Sequence, residues 1–367
     1  MVFVSSIGGF GSLKLYEKNY MWYLALPILC FIAMSYLVFV SPGIVPGVDL
    51  TGGTLITIRS PQAIDQTQLT DFLENNFQLA DLQVNTVSSP LGYGANIQFA
   101  ENVTIAGART HIETARSMLS TNPTQAESEA RQGIEIASAF AVPAGLGDAK
   151  TPEEVVAFSE QFLNDAKDSF NQQIQERVAQ EFNLGSDAQF SRKDIAPVLG
   201  KVFFESAVTV ALASVIFMII VIFYLFRELV PSATIIAAAV LDVLFSAAAM
   251  AWFKVPLSLA SIPTLLLLVG YSIDTDILLT TRMLKRTEGT EAERAQGSLA
   301  TGLTMTLTTM AAVTAMMVLS YFTQLQVMFE IAFLLFFGLI GDIVGTWLMS
   351  APVLLLYVEW KKKRKTA

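Results

Sequence analysis

Six apolar runs constrain this chain before any other feature does. They lie at 20–40, 203–226, 230–253, 257–281, 298–322 and 329–357. At about 1.5 Å per helical residue, about 20 residues cross a hydrocarbon core of about 30 Å, so each run is long enough to span a bilayer. Hydrophobic residues make up 53% of the 367, charged residues only 15%, and the mean hydropathy is +0.52. That is too apolar for an ordinary soluble protein of this length. The first run lacks a small-residue cleavage pattern and is followed by Pro42-Gly43, so it reads as a retained anchor rather than a signal peptide. The last run exceeds one span and contains Pro352, which leaves its end open.

Between the first and second runs the composition changes. Over 42–200 acidic residues outnumber basic ones by more than two to one, which marks a polar domain. Thr54-Leu-Ile-Thr-Ile-Arg59 alternates like a strand, and 66–77 places Leu69, Phe72, Leu73 and Phe77 at helical spacing. The stretch 82–87 alternates again and pairs with 95–99 across a Ser, Pro and Gly-rich turn. Residues 103–140 are rich in Ala, Thr and Glu and read as helical. Thr151-Pro152-Glu153-Glu154 carries a capping Thr, a first-turn Pro and two acids near the positive end of the dipole, opening a helix that runs to about 182. The expected fold is thus an α-helical six-span bundle carrying one α+β domain with a helical insertion. Its segments are 1–41 (tail and first span), 42–201 (polar domain), 202–358 (spans two to six) and 359–367 (a basic tail).

Basic residues orient the bundle. With the N-terminus inside, Lys14, Lys18, Arg227, Arg282, Lys285, Arg286, Arg294 and the run Lys361-Lys362-Lys363-Arg364-Lys365 all fall on the cytoplasmic side, and the short outer loops hold only Lys254. That asymmetry follows the positive-inside rule. It places both termini in the cytoplasm and the acidic domain outside. The basic tail fixes topology or touches anionic membrane lipid, and nucleic acid is not expected as a partner.

The fourth run carries Gly270-Tyr271-Ser272-Ile273-Asp274-Thr275-Asp276. A charged Asp at mid-membrane costs about 3 kcal/mol on insertion scales, so retained carboxylates face a protein interior or a water path, unless they serve only as glue between helices. Asp274 and Asp276 point about 200° apart on a helix and cannot share a face. One meets the interior with Asp242 and the threonines Thr301, Thr304 and Thr308; the other faces outward. The inventory excludes other chemistries. Cys30 is the single cysteine, so no intrachain disulfide forms. His111 is the single histidine and lies in the polar domain, which removes a His-based metal site or nucleophile from the membrane. There is no phosphate loop, so ATP is not the chain's own fuel. No enzymatic activity, metal or other cofactor is expected.

Several motifs together resemble the SecF members of the SecD/SecF family of protein-export membrane proteins, within the RND superfamily. Gly47-Val48-Asp49-Leu50-Thr51-Gly52-Gly53-Thr54 is similar to the family signature GVDFxGGT, and Pro197-Val198-Leu199-Gly200 to GPxxG. Leu241-Asp242-Val243 resembles an HDV run, 270–276 with Arg282 a GYSxND…DR run, and Gly345-Thr346-Trp347 with Ala351-Pro352 the last span. Gly52-Gly53 would let the chain turn sharply into the first strand, as any strand-opening turn needs, with Asp49 capping the turn or facing the membrane surface. The resemblance implies an accessory role beside the Sec translocon: a complex with SecD that promotes preprotein translocation with an ion gradient, the proton being the expected ion. The alternatives are an RND-type exporter of small molecules or lipid, and a scaffold that conducts nothing.

The departures bear on coupling. Bacterial members have Asn-Asp where this chain has Asp274-Thr275, followed by Asp276, and SecD members carry their Asp at the position of Asp274. Bacterial members also have an Arg in the fifth span, absent from Ser298-Leu-Ala-Thr-Gly302-Leu-Thr304. The Asp-Thr-Asp version resembles archaeal members, and an acid-rich exterior suits a salt-loving source. On the SecD parallel, Asp274 is the expected ion carrier and Asp276 the milder site.

Overall fold

The computed structural model describes residues 16, 20–89, 92–149, 151–185, 188–195, 197–286, 289–323 and 325–366. Lys14, Lys18 and the turn residues Pro90 and Leu91 lie outside them. The chain divides into two compact units: Thr51–Gly200, and Met1–Leu50 together with Lys201–Ala367. In chain order, helix α1 (Ala25–Phe39) precedes a single helical turn (Val48–Thr51) and strand β1 (Gly53–Ser60).

In the polar unit, β1 places Ile56 and Ile58 on one face, both fully buried. Helix α2 (Gln66–Asn76) starts where Asp65 accepts the Gln68 N–H at 3.0 Å and buries Leu69 and Leu73. Strands β2 (Gln83–Ser89) and β3 (Gly92–Phe99) form the expected hairpin, longer on its second arm than the periodicity indicates. The stretch 103–140 is helical as expected and forms two helices, α3 (Val103–Met118) and α4 (Pro123–Ala137), because Asn122 caps and Pro123 opens a new first turn. Helix α5 (Pro152–Glu181) has the full capping box, with Thr151 and Glu154 each accepting the other's backbone N–H.

A fourth strand, β4 (Gln189–Ile195), was not expected: its polar, charged sequence has no buried face. It forms because β1 offers an edge, pairing antiparallel from Gly53↔Ile195 to Arg59↔Gln189. The sheet order is β2-β3-β1-β4 with every neighbour antiparallel. This is the ferredoxin-like βαββαβ arrangement, with α3 and α4 inserted before its second helix. Phe77, Phe99, Phe162 and Phe170 are among the side chains of its core.

Gly53 shows why the GG pair is needed. Its φ is +130°, and a Cβ there would lie 2.4 Å from the Phe99 carbonyl oxygen. Gly53→Ala should therefore destabilise the sheet by about 2 kcal/mol or more, from backbone strain plus a clash with main chain. Thermal unfolding of the purified full chain in detergent measures it.

Among the described residues, the other unit has six helical segments long and apolar enough to cross a membrane. They are α1 with its leading 3₁₀ turn, α6 (Pro197–Phe226), α7 (Leu229–Phe253), α8 (Ser261–Lys285), α9 (Glu291–Thr323), and a last one built in three parts. The parts are α10 (Gln326–Val344), a π-helical turn (Gly345–Ser350) and α11 (Ala351–Thr366). Pro352 accounts for the wide turn: it has no N–H, and its ring would crowd the carbonyl four residues back in a regular α-helix. In the widened turn the Ala351 N–H reaches the Thr346 carbonyl, five residues back.

Helix α7 sits deepest, with Ile235, Ala238, Leu241, Asp242 and Ser246 all buried. The last span approaches it through Gly338 and Gly341 of α10 and Gly345 of the π-turn, small residues that let two backbones come close in lipid. The Ser246 hydroxyl donates to the Leu334 carbonyl at 2.9 Å across that contact. Gly47 donates its N–H to the Leu257 carbonyl at 2.8 Å, and Leu257 returns an N–H to Val45 at 2.8 Å. A Cβ on Gly47 would lie 3.0 Å from that carbonyl, so the first glycine of the signature stitches its segment to the α7–α8 loop. The basic tail continues α11 helically, with Lys361 paired to Glu228 and Lys362 to Glu291 at 3.3 Å.

Candidate ion-coupling site

Among the described residues three aspartates are buried in the bundle, Asp242 from α7, Asp276 from α8 and Asp342 from α10, exposed by 0%, 0% and 1%; Glu330, near the start of α10, is a further buried carboxylate at 4%. No Lys or Arg is buried among the described residues. Asp342 is held by two hydroxyls. Thr306 of α9 donates to its Oδ2 and Thr346 of the π-turn to its Oδ1, each at 3.1 Å. Asp242 and Asp276 differ: neither oxygen of either one has a hydrogen-bond partner among the described residues. Asp242 faces Ser272 and lies within electrostatic reach of Asp342 and Asp276, while Asp276 faces Thr346 and Ser350. The hydroxyls of Ser272 and Ser350 are likewise buried without completing a bond. A polar group left so costs about 1–3 kcal/mol, and a charge costs more.

Local sequence makes this arrangement possible. Gly341 and Gly345 bring the α10 main chain against Asp242: a Cβ at either would lie 3.2 Å or 3.4 Å from Asp242 Oδ1. Gly302 of α9 leaves the space filled by the Trp347 ring, 2.4 Å from where its Cβ would be, and by Thr275.

The expected split between Asp274 and Asp276 is present, but Asp276 is the residue that turns inward. Asp274 is exposed and shares an outward stripe of α8 with Leu267, Gly270 and Tyr271. Gly270 has open space around it. Asp274 also lines a cavity of about 250 Å³ that reaches Asp342, with Tyr271, Thr275, Thr306 and Thr309 in its walls. Of the three threonines expected beside the carboxylates, none bonds to one. Thr304 and Thr308 donate to carbonyls of their own helix, and Thr308 is exposed. Thr301 instead accepts from Arg282 at 3.0 Å, and Arg282 also donates to the Gly297 carbonyl at 2.7 Å, tying α8 to α9. Thr306, one turn from Thr301 plus a residue, does the work expected of them. Asp342 was not among the expected residues. Its signal was available as a carboxylate inside the last apolar run, between Gly341 and Gly345. Among the described residues, no group of three or more His, Cys, Asp and Glu side chains is arranged to hold a metal ion.

The sequence model for the protein export membrane protein SecD/SecF, C-terminal, matches residues 174–360, just over half the chain, and the SecD/SecF GG motif matches 38–60. The protein-export membrane protein SecF of Methanothermobacter thermautotrophicus is 42% identical over 171 residues, covering 46% of this chain and 60% of the relative. That of Methanocaldococcus jannaschii is 37% identical over 199 residues, covering 52% of this chain and 70% of the relative. The crystal structure of SecDF, a translocon-associated membrane protein from Thermus thermophilus, is similar in fold. Its TM-score is 0.58 at 18% identity, over 95% of this chain and 39% of that one. None of these is named as an enzyme. With the GG segment and the C-terminal spans both matched and the fold similar to that of SecDF, the chain belongs to the SecD/SecF family of protein-export membrane proteins.

Proposed function

We propose that the chain is the SecF-type accessory subunit of a Sec protein-export machinery, working beside a SecD-type partner and the translocon, and that it spends a proton gradient on moving preprotein outward. The observation that carries this reading is the pair Asp242 and Asp276, fully buried with both carboxylate oxygens unbonded among the described residues. Such groups do not repay their desolvation as packing elements. They suit a site that alternately takes up and releases a proton, for which each elementary charge crossing 100 mV supplies about 2.3 kcal/mol.

Asp274 supports the partner. A carboxylate on the outward face of a span is poorly placed against lipid. The stripe that it shares with Gly270 and Tyr271 therefore faces another protein, the SecD-type subunit, and the adjoining cavity leads protons from that side toward Asp342. The acidic ferredoxin-like unit is extracytoplasmic and both termini are cytoplasmic, following the basic residues Arg227, Arg282, Arg286 and 361–365. The signature segment anchored on Leu257 favours the export reading over a small-molecule or lipid exporter.

Two measurements test this. In vesicles holding the full chain with its SecD-type partner and translocon, export of a Sec substrate should rise on imposing a proton gradient and fall with a protonophore. Export indifferent to the protonophore, or driven by sodium alone, would reject proton coupling. For orientation, a cysteine placed at 147 in a Cys30→Ala background should react with an impermeant thiol reagent applied outside, and one placed at 366 should not. The reverse pattern would invert the topology.

A further inference from the structure

We propose that the Tyr16 hydroxyl is a positioning group for the carboxylate site: it caps the main-chain carbonyl that Pro352 leaves open and so holds the π-turn that carries Thr346 and Ser350. The carbonyl is that of Trp347. A helix would offer it the N–H of residue 351 or of residue 352. The first is already bonded to the Thr346 carbonyl, and the second does not exist, because residue 352 is proline. The Tyr16 hydroxyl, 331 residues away in sequence, donates to it at 2.9 Å.

The donor is as enclosed as the acceptor. Tyr16 is 4% exposed and packs with Leu279 and Met283 of α8, Leu299 of α9 and Leu354 of α11. Burial, reinforced by Tyr23, pushes its phenol above the ordinary tyrosine range, so the hydroxyl keeps its proton and donates at every physiological pH. An open carbonyl here would carry the full penalty of an unmet buried acceptor.

The turn so held carries the site. Thr346 donates to Asp342, and Thr346 and Ser350 face Asp276. Collapse of the wide turn to ordinary α-helix shifts the register by one residue, a rotation of about 100°. That swings Ser350 relative to Thr346 and changes what the carboxylates meet. Tyr16 thus acts on the site through the backbone, without touching a carboxylate.

The functional arm of the test rests on the proton-coupled reading above; the stability arm does not. Tyr16→Phe keeps the ring and removes the hydroxyl. In the full chain in detergent it should lower the thermal midpoint, and much less so in a Pro352→Ala background, where residue 352 regains an N–H for Trp347. Equal losses in both backgrounds would overturn the cap. In vesicles with the partner and translocon, Tyr16→Phe should lower proton-driven export about tenfold and displace its pH profile, with Pro352→Ala restoring part of both. A lower midpoint with an unmoved pH profile would leave Tyr16 a packing residue and sink the positioning role. Wild-type export that ignores the proton gradient would instead fail the coupling reading, and the two thermal midpoints would still decide the cap.

Discussion

Asp276→Asn should abolish proton-driven export while leaving the protein folded, inserted and bound to its partner. Asn keeps the shape of the side chain but cannot take up or release a proton. Because Asp276 is fully buried, faces no cation and has both oxygens unbonded among the described residues, losing its charge removes a desolvation cost instead of a stabilising contact. The thermal midpoint should therefore hold steady or rise by a few degrees. Asp242→Asn should behave in the same way, since it has the same burial and the same unmet oxygens. Asp274→Asn should be milder and act on affinity for the partner, because Asp274 lies on the outward stripe. Export assays with midpoints measured on the same preparations separate the readings. If Asp276→Asn melts early and exports in proportion to its folded fraction, the carboxylates are helix glue. If Asp274→Asn is the silent-transport variant and Asp276→Asn works normally, the carrier is the outward residue and the interior site is wrong.

Gly341→Val should cost the fold itself. A Cβ at this position would lie 2.9 Å from the Asp242 Cα and 3.0 Å from the Phe245 Cβ, and neither is the free end of a flexible side chain. Helix α10 would have to move off α7, breaking the contact that also carries the Ser246–Leu334 hydrogen bond. Overpacking of this kind costs about 1–3 kcal/mol for a smaller intrusion, and a β-branched side chain against main chain exceeds that. The expected result is little monodisperse protein after detergent extraction, with Gly341→Ala intermediate. Gly270→Ala is the control: that glycine belongs to the family motif, yet a Cβ there meets nothing within 4 Å. Equal yields for Gly341→Val and Gly270→Ala would mean that α7 and α10 are not closely packed.

Hydrophobic pattern carries part of this fold and leaves the rest to tertiary packing. Six spans, the first three strands and the Thr-capped start of α5 were legible because each has a local physical cause written into adjacent residues. The inward choice between Asp274 and Asp276 was not. In water, an apolar stripe marks the buried face of a helix; in lipid both faces are apolar, so the pattern separates the two carboxylates without saying which looks inward. The buried set Leu268, Ser272, Thr275, Asp276, Leu279 and Met283 becomes readable only once α7 and α10 are in place. Asp342 was within reach of the rule that singled out Asp274 and Asp276, since it too is a carboxylate inside an apolar run. The threonines follow a related rule: Thr308 lines the cavity with Asp274 and Asp342, but its hydroxyl is held by its own helix. Hydroxyls on a span usually bond back to their own helix, as Thr304 and Thr308 do, and the exception, Thr306, is chosen by its neighbour on α10. Strand β4 was invisible because its residues have little strand propensity, and only the open edge of β1 recruits them.

The pairing of β1 with β4 also has a mechanical consequence. The chain comes into the ferredoxin-like sheet at Gly53 and goes out after Ile195, and those two residues face each other as antiparallel partners, about 5 Å apart. Traction that separates the two connections therefore does not shear the strands along their length. It opens them like a zipper, loading the Gly53↔Ile195 pair first and each later pair only when the one before has given way. Traction applied to both together loads no pair at all and carries the whole sheet as one rigid handle.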